Sequence, residues 1–303
     1  MARILVIGDL LLDHYKFYEN VRNDPATPDI PVVKLVNEIK VDGGAGYLVR
    51  NLKELVDIDV IYFHGSVPTK IRNYMNDKYT FREDINDEIL HSPPLIDEFV
   101  DEIKDNDYVV ISDYHKGTIK YSDIKRILNK CNETNITFID TNHVQPEHEG
   151  VDWLKINLKT AKEFVNKNGK NIAKVISKKN NSNVIITKGE DGFIAYFKEL
   201  EQLIYFTKDP NNNFVDAIGA GDTFLAGFVS YLARHMFQFQ THQYTGELPA
   251  LVYADIVAHL STSQLGTLDV VTAEVADEEY KNAKTSIEEI EDTIYGHRTI
   301  NDD

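Results

Sequence analysis

The sequence predicts an α/β protein, a three-layer α/β/α sandwich whose helices cover both faces of a mainly parallel sheet, with a small second sheet standing off the core. Three observations carry this: short β-rich runs recur along the chain, helical patterns lie between several of them, and two other β-rich stretches have no helix between them. Arg3 to Gly8 is a short apolar run ending in glycine, the mark of a buried strand, and Tyr47 to Val56 has helical spacing. Asp59 to Phe63, Tyr108 to Ser112, Ile136 to Asp140 and Val184 to Thr187 are further runs of β formers, and Pro94 to Ile103 and Ser122 to Cys131 read as helices. Strands alternating with helices imply right-handed crossovers and ligands at the carboxyl ends of the strands. The stretches His14 to Val41 and Lys70 to Glu83 half-alternate, as in YKFY, KIRNYM and KYTFRE, and predict a small antiparallel sheet, although an ordinary surface hairpin satisfies the same pattern.

A chain of 303 residues with 42% hydrophobic content supports one large α/β domain with an accessory piece, or two ordinary domains. A formal charge of −17 excludes a general nucleic-acid backbone binder, so an anionic ligand must be held by a local cluster. Cys131 is the single cysteine and predicts a reducing compartment. The start MARILVIGDLLLDHY is too short and acid-interrupted for a signal peptide, and no apolar run reaches spanning length; a cytosolic protein is expected, with the sequons at Asn132 and Asn135 unglycosylated.

The stretch DAIGAGDTF, Asp216 to Phe224, opens an apolar helical stripe that runs to Leu232. A helix N-terminus offers unpaired N–H groups and partial positive charge, and small residues admit a phosphate to the backbone. Gly219, Ala220 and Gly221 are therefore candidates for an anion hole, and Asp222 for the base that accepts a proton from an attacking hydroxyl. A tight turn with Asp222 as helix cap is the plainer alternative for a bare GxGD.

The longer string DAIGAGDTFLAGF resembles the C-terminal signature of the ribokinase/PfkB sugar-kinase family, with Ile218 in place of a small hydroxyl or thiol residue. VIGDLLLDHYKFYENVRNDPATPDIPVVKL, DGGAGYLVRNLKEL, SDYHKG at 112–117 and QLGT at 264–267 are similar, in order, to motifs of the D-glycero-β-D-manno-heptose 7-phosphate kinases. The resemblance implies a ribokinase-like fold in a single kinase domain over 1–303, with lid segments at about 14–41 and 68–84. It implies ATP and Mg²⁺ as cofactors and a sugar or sugar phosphate as acceptor, and of the two-domain versions only the kinase half is expected in this chain. It also implies a homodimer joined through the lids, burying Phe17, Val33, Leu35 and Tyr74.

On that resemblance Asp13 accepts sugar hydroxyls, Gly43 and Gly44 let the sugar approach the backbone, and Arg50 and Lys116 hold the acceptor's own phosphate, unless they are solvated surface cations. Asn157, ending WLKIN, stands near phosphate and magnesium; Lys188, Gly189 and Gly192 in KGEDG, with Asp216, border the nucleotide. Four departures follow. Tyr47 replaces the sugar-binding Asn of the glycine motif, Thr160 replaces an acid that organises magnesium, with Glu163 as its substitute, and Asp255 replaces an Asn. After Val60 to Phe63 the chain runs almost directly into Pro68, lacking a helix-strand excursion that a sheet edge can forgo. A kinase of another sugar or of a nucleoside, and a binding protein that kept the fold without turnover, stay open beside this reading; a dinucleotide-binding domain is disfavoured because no G-x-G-x-x-G follows the first strand.

Overall fold

The computed structural model describes residues 3–57, 59–65, 67–87, 100, 102–165, 171–207, 213–235 and 246–283. Its larger sheet has eight strands in the order β12-β11-β10-β9-β8-β7-β1-β4. The strands are β1 (Arg3–Gly8), β4 (Asp59–Phe63), β7 (Tyr108–Asp113), β8 (Ile136–Thr141), β9 (Trp153–Asn157), β10 (Asn183–Thr187), β11 (Phe193–Phe197) and β12 (Gln202–Phe206). From β4 to β10 every neighbour is parallel, and β11 and β12 close the far edge as an antiparallel hairpin. That hairpin was not anticipated. Strand β4 is the other edge, which is why the chain can pass from Phe63 into the next strand at Thr69 without a covering excursion.

The period of two along β1 assigns the layers. Ile4 and Val6 join the core of α1 (Ala45–Leu55), α5 (Ala220–His235) and α6 (Glu247–Ser261). Leu5 and Ile7 face the opposite core, built with α2 (Tyr121–Lys130), α3 (Leu158–Val165) and α4 (Ile172–Asn180). A further helix covers 273–283. The helix expected from Pro94 to Ile103 falls mostly outside the described residues; at its end Ile103–Asp105 forms a 3₁₀ turn.

The second sheet contains β2 (Leu10–Asn23), β3 (Pro31–Gly44), β5 (Thr69–Met75) and β6 (Lys78–Ile85) in the order β3-β2-β5-β6. It is mixed rather than antiparallel, because β2 pairs β5 in parallel while the outer two pairs are antiparallel. Since β2 and β5 follow β1 and β4, two parallel strands of the core, each with one short connection, they leave the core running the same way. Tyr74 is buried within this sheet, its ring 5.3 Å from Phe17 and 5.2 Å from Tyr79, so it is a packing residue of one chain and not the surface residue expected.

Candidate active site

Helix α5 is pinned over the sheet by aromatic packing. Phe228 meets Trp153 edge-on at 4.9 Å and Phe138 at 5.7 Å, and such pairs add roughly 0.5–1.5 kcal/mol each beyond their burial. This fixes its N-terminus, where Ala220 begins the helix, beside the carboxyl ends of β7 to β10. Gly219, at φ +81°, could not be another residue: a Cβ there would lie 2.5 Å from the Tyr47 ring.

Two cavities meet at this point. The larger, about 370 Å³, is lined by Asn157, Thr187, Gly189, Gly192, Phe214, Ala217, Gly221, Phe224, Asp255, Ala258 and His259 among others, a mostly apolar wall with polar groups at one end. The smaller, about 110 Å³, is polar and lined by Asp113, Tyr114, Asp140, Thr141, Asn142, Lys155, Asn157, Thr187 and Gly221. Asn157, Thr187 and Gly221 belong to both. Gly192, at φ +81°, holds the turn after β10, where a Cβ would collide with the Phe206 carbonyl. Lys188 and Asp216 do not line the larger cavity. Lys188 donates its N–H to the Gly192 carbonyl, and the Asp216 carboxylate accepts the Ile218 N–H at 3.0 Å, so Asp216 shapes the turn instead.

Asp222 is 3% exposed, and the Tyr114 hydroxyl donates to its Oδ1 at 2.6 Å. Burial pushes its carboxyl up to about 7; Asp140 and Asp13 add to the rise, while the Tyr114 hydrogen bond and Lys155 oppose it. A carboxyl titrating there is matched to base catalysis at neutral pH. Asp113 is pushed to about 6, chiefly by burial and then by Asp9, whose own carboxylate accepts the N–H groups of Lys116 and Thr118.

Lys155 donates to Asp140 Oδ2 at 2.7 Å. Asn157 donates to Asn142 Oδ1 at 3.0 Å and accepts the Thr160 N–H, and the Thr160 hydroxyl donates to the Asn142 carbonyl. Thr160 thus braces the two asparagines where an acid was expected to bind metal. Glu163 does not replace it. Its side chain is 63% exposed and faces Lys159 across one helical turn, on the solvent side of α3. The donor suited to a nucleotide-borne Mg²⁺ is Asp140, whose Oδ1 has no hydrogen bond among the described residues, together with Asn157, since such an ion needs only one or two protein ligands beside phosphates and water.

The acceptor side is already internally bonded. Asp13 receives Arg72 on one oxygen at 2.8 Å and the Thr267 hydroxyl on the other at 2.7 Å, with Gly43 directly over it: a Cβ there would overlap the carboxylate. Gly44, at φ +57°, caps α1 and packs against the Asp9 carbonyl. Tyr47 is fully buried and donates to the Asp269 carbonyl at 3.0 Å, so it is not a sugar ligand in the place of Asn. Arg50 donates to the carbonyls of Thr267 and Leu268 at 2.8 and 2.9 Å, which contradicts its expected freedom to grip phosphate. Lys116 pairs with Asp87 at 2.8 Å, and Lys70 joins them on the same carboxylate.

Thr267, in the QLGT motif, is the hub that the sequence marked without revealing its use. It donates its N–H to Tyr15 Oη at 2.8 Å and its hydroxyl to Asp13, and accepts Arg50, so one residue ties strand β2 of the second sheet to α1. Tyr114, Asp140, Lys155 and Arg72 were also missed. A lysine inside the apolar strand WLKIN was the one visible signal, since buried strands carry a charge only with a partner.

The pfkB family carbohydrate kinase model matches residues 44–267 of this chain. The chain is similar to the bifunctional protein HldE of Campylobacter curvus strain 525.92, 26% identical over 97% of this chain and 70% of that protein. It is also similar to the bifunctional protein HldE of Campylobacter jejuni strain RM1221, 30% identical over 84% of this chain and 61% of that protein. It therefore spans only 61% to 70% of those relatives' length. Among solved structures it shares its fold with ribokinase from Giardia lamblia, at TM-score 0.70 and 13% identity over 93% of this chain and 99% of that one. Phosphofructokinase-2 from Escherichia coli in complex with potassium shares it too, at TM-score 0.70 and 12% identity over 94% and 100%. With a family model matched from Gly44 to Thr267, across the glycine turn, the strand ends and the GAGD helix, the protein belongs to the pfkB family of carbohydrate kinases, phosphotransferases with an alcohol group as acceptor.

Proposed function

We propose that the protein transfers the γ-phosphate of ATP to a hydroxyl of a sugar phosphate, a heptose 7-phosphate-like acceptor in particular. The observation that carries this reading is Asp222, a buried carboxyl raised to about 7 beside the junction of an apolar cavity and a polar one. The nucleoside occupies the larger cavity between Phe214, Phe224 and Ala258, and the phosphates run toward Gly221. An acceptor hydroxyl attacks the γ-phosphorus, the bond to the bridging oxygen breaks, and ADP leaves with that electron pair. Asp222 accepts the hydroxyl proton, and the amides of Gly219, Ala220 and Gly221 hold developing charge. Bound Mg²⁺, held by Asp140 and Asn157, would supply neutralisation of phosphate charge.

Lys70 and Lys116 support a phosphorylated acceptor, because Asp87 already occupies between them the position of an anion. We read the chain as one kinase domain with the second sheet as its lid, dimerising through lids: Leu35 and Val33 on β3 and Phe81 on β6 are exposed on the two edge strands. The ordered motifs that resemble the heptose 7-phosphate kinases favour heptose phosphate over other sugars. The test is ADP release with a panel of sugars and sugar phosphates that includes heptose 7-phosphate. Faster release with an unphosphorylated sugar would redirect the acceptor assignment, and no release with any acceptor would remove the kinase reading.

A further inference from the structure

We infer that Lys155, fixed by Asp140, is the cation that receives the terminal phosphate of the nucleotide at the Gly221 end of the amide cradle. This deepens the kinase reading above and rests on it.

Strand β9 lies between β8 and β10, inside the sheet, and its residues Trp153, Leu154 and Ile156 are buried apolar groups. Lys155 interrupts them at 4% exposure. Removing an ammonium from water is costly unless it is paired, and one ion pair inside a protein rarely repays the desolvation. Stability therefore does not explain the lysine. Its position does: Nζ lies 3.4 Å from where a Cβ on Gly221 would stand, so the absent side chain leaves the ammonium open to the first turn of α5. Asp140 is its one hydrogen-bond partner among the described residues, taking one of three N–H donors.

Lys155 and Gly221 line the same small polar cavity, of about 110 Å³, and Gly221 is also in the wall of the large apolar one. The phosphates of a nucleoside in the large cavity then extend through that junction into the small one, where Tyr114, the hydrogen-bond donor to Asp222, stands in the wall. The last phosphate then meets two sources of positive charge, the helix amides and the ammonium. Lys155 offsets the charge on the transferring group while the base is Asp222. Asp140 is the positioning residue that holds the ammonium on this wall.

The experiment compares ATP and ADP binding by calorimetry, in one magnesium buffer, for the full chain, Lys155→Met and Lys155→Arg, together with turnover on the best acceptor. Lys155→Met is expected to weaken ATP about tenfold or more, as for a lost charged hydrogen bond, while ADP changes less than about threefold. Turnover should fall about a hundredfold with the acceptor KM unchanged, and Lys155→Arg should restore most of the ATP preference. If Lys155→Met fails to fold because Asp140 is stranded, the double variant Lys155→Met/Asp140→Asn, which removes that charge, takes the same measurements against Asp140→Asn alone, so that the loss of the magnesium ligand is common to both. Equal weakening of ATP and ADP, or an unchanged ratio, overturns the inference. Wild-type protein that binds neither nucleotide overturns the kinase reading instead.

Discussion

The cavity side of this molecule, where we place the nucleotide, and the side of the second sheet, which we read as the lid, are built on opposite principles. On the cavity side the polar groups stand open: Gly221 has no side chain, Lys155 has donors to spare, and two cavities share Gly221, the residue before Asp222. On the lid side every expected sugar ligand is engaged. Asp13 is closed by Arg72 and Thr267, Tyr47 by Asp269, Arg50 by two carbonyls and Lys116 by Asp87. A preformed phosphate cradle needs no rearrangement to bind, whereas an acceptor must exchange internal bonds for its own. On the proposed reading, the contrast teaches that nucleotide binding is set by the strand ends, and acceptor choice by how readily the contacts of the second sheet are traded.

The sharpest way to break that contrast is at the base. Asp222→Asn should keep nucleotide binding and lower turnover by roughly two to four decades; turnover near wild type would remove Asp222 from the mechanism. Next is the buried lid pair. Arg72→Ala strands the Asp13 carboxylate and should cost about 3–5 kcal/mol in chemical denaturation, while ATP binding, on the other side, stays within about twofold. Arg50→Ala should cost about 1.5–3 kcal/mol by removing charged donors from two carbonyls; an acceptor KM increase with unaltered stability would return Arg50 to the phosphate-binding role.

Acid sharpens the same contrast. Turnover should rise with pH through about 7 as Asp222 ionises, and Tyr114→Phe, which removes the hydrogen bond that lowers its pKa, should move that rise to higher pH. The sign for stability is opposite. An aspartate ionises at its ordinary value of 3.8 when unfolded and here at about 7 when folded, so its contribution is full below the former, declines across the interval and is gone above the latter. Melting curves of wild type against Asp222→Asn between pH 5 and 8 check this, and parallel curves would place the titration elsewhere. The smallest effect is expected at the lid edges, where Leu35→Glu and Phe81→Glu should lower the mass seen by light scattering from dimer to monomer without altering ATP affinity. A wild-type monomer would end the dimer proposal.

The local pattern by itself determined the strands that end at the cleft, because a buried parallel strand must be apolar along its length and its last residue faces the loops. Tyr108 to Ser112 and Ile136 to Asp140 were each placed to within one residue of β7 and β8, and GAGD announced the start of α5 because only small residues with an acid suit that turn. What only the tertiary structure decided is partnership. Arg50 and Lys155 are both cations near small residues, yet one is closed by carbonyls 217 and 218 residues away and the other faces a cavity. Glu163 and Asp140 are both acids near a candidate phosphate site, and helix phase sends the first to solvent while the end of β8 keeps the second on the cavity wall. Spacing along the chain fixes what a residue is and which element carries it. The free energy of burying a charge depends on groups brought from distant strands, and that is set only when the sheet closes.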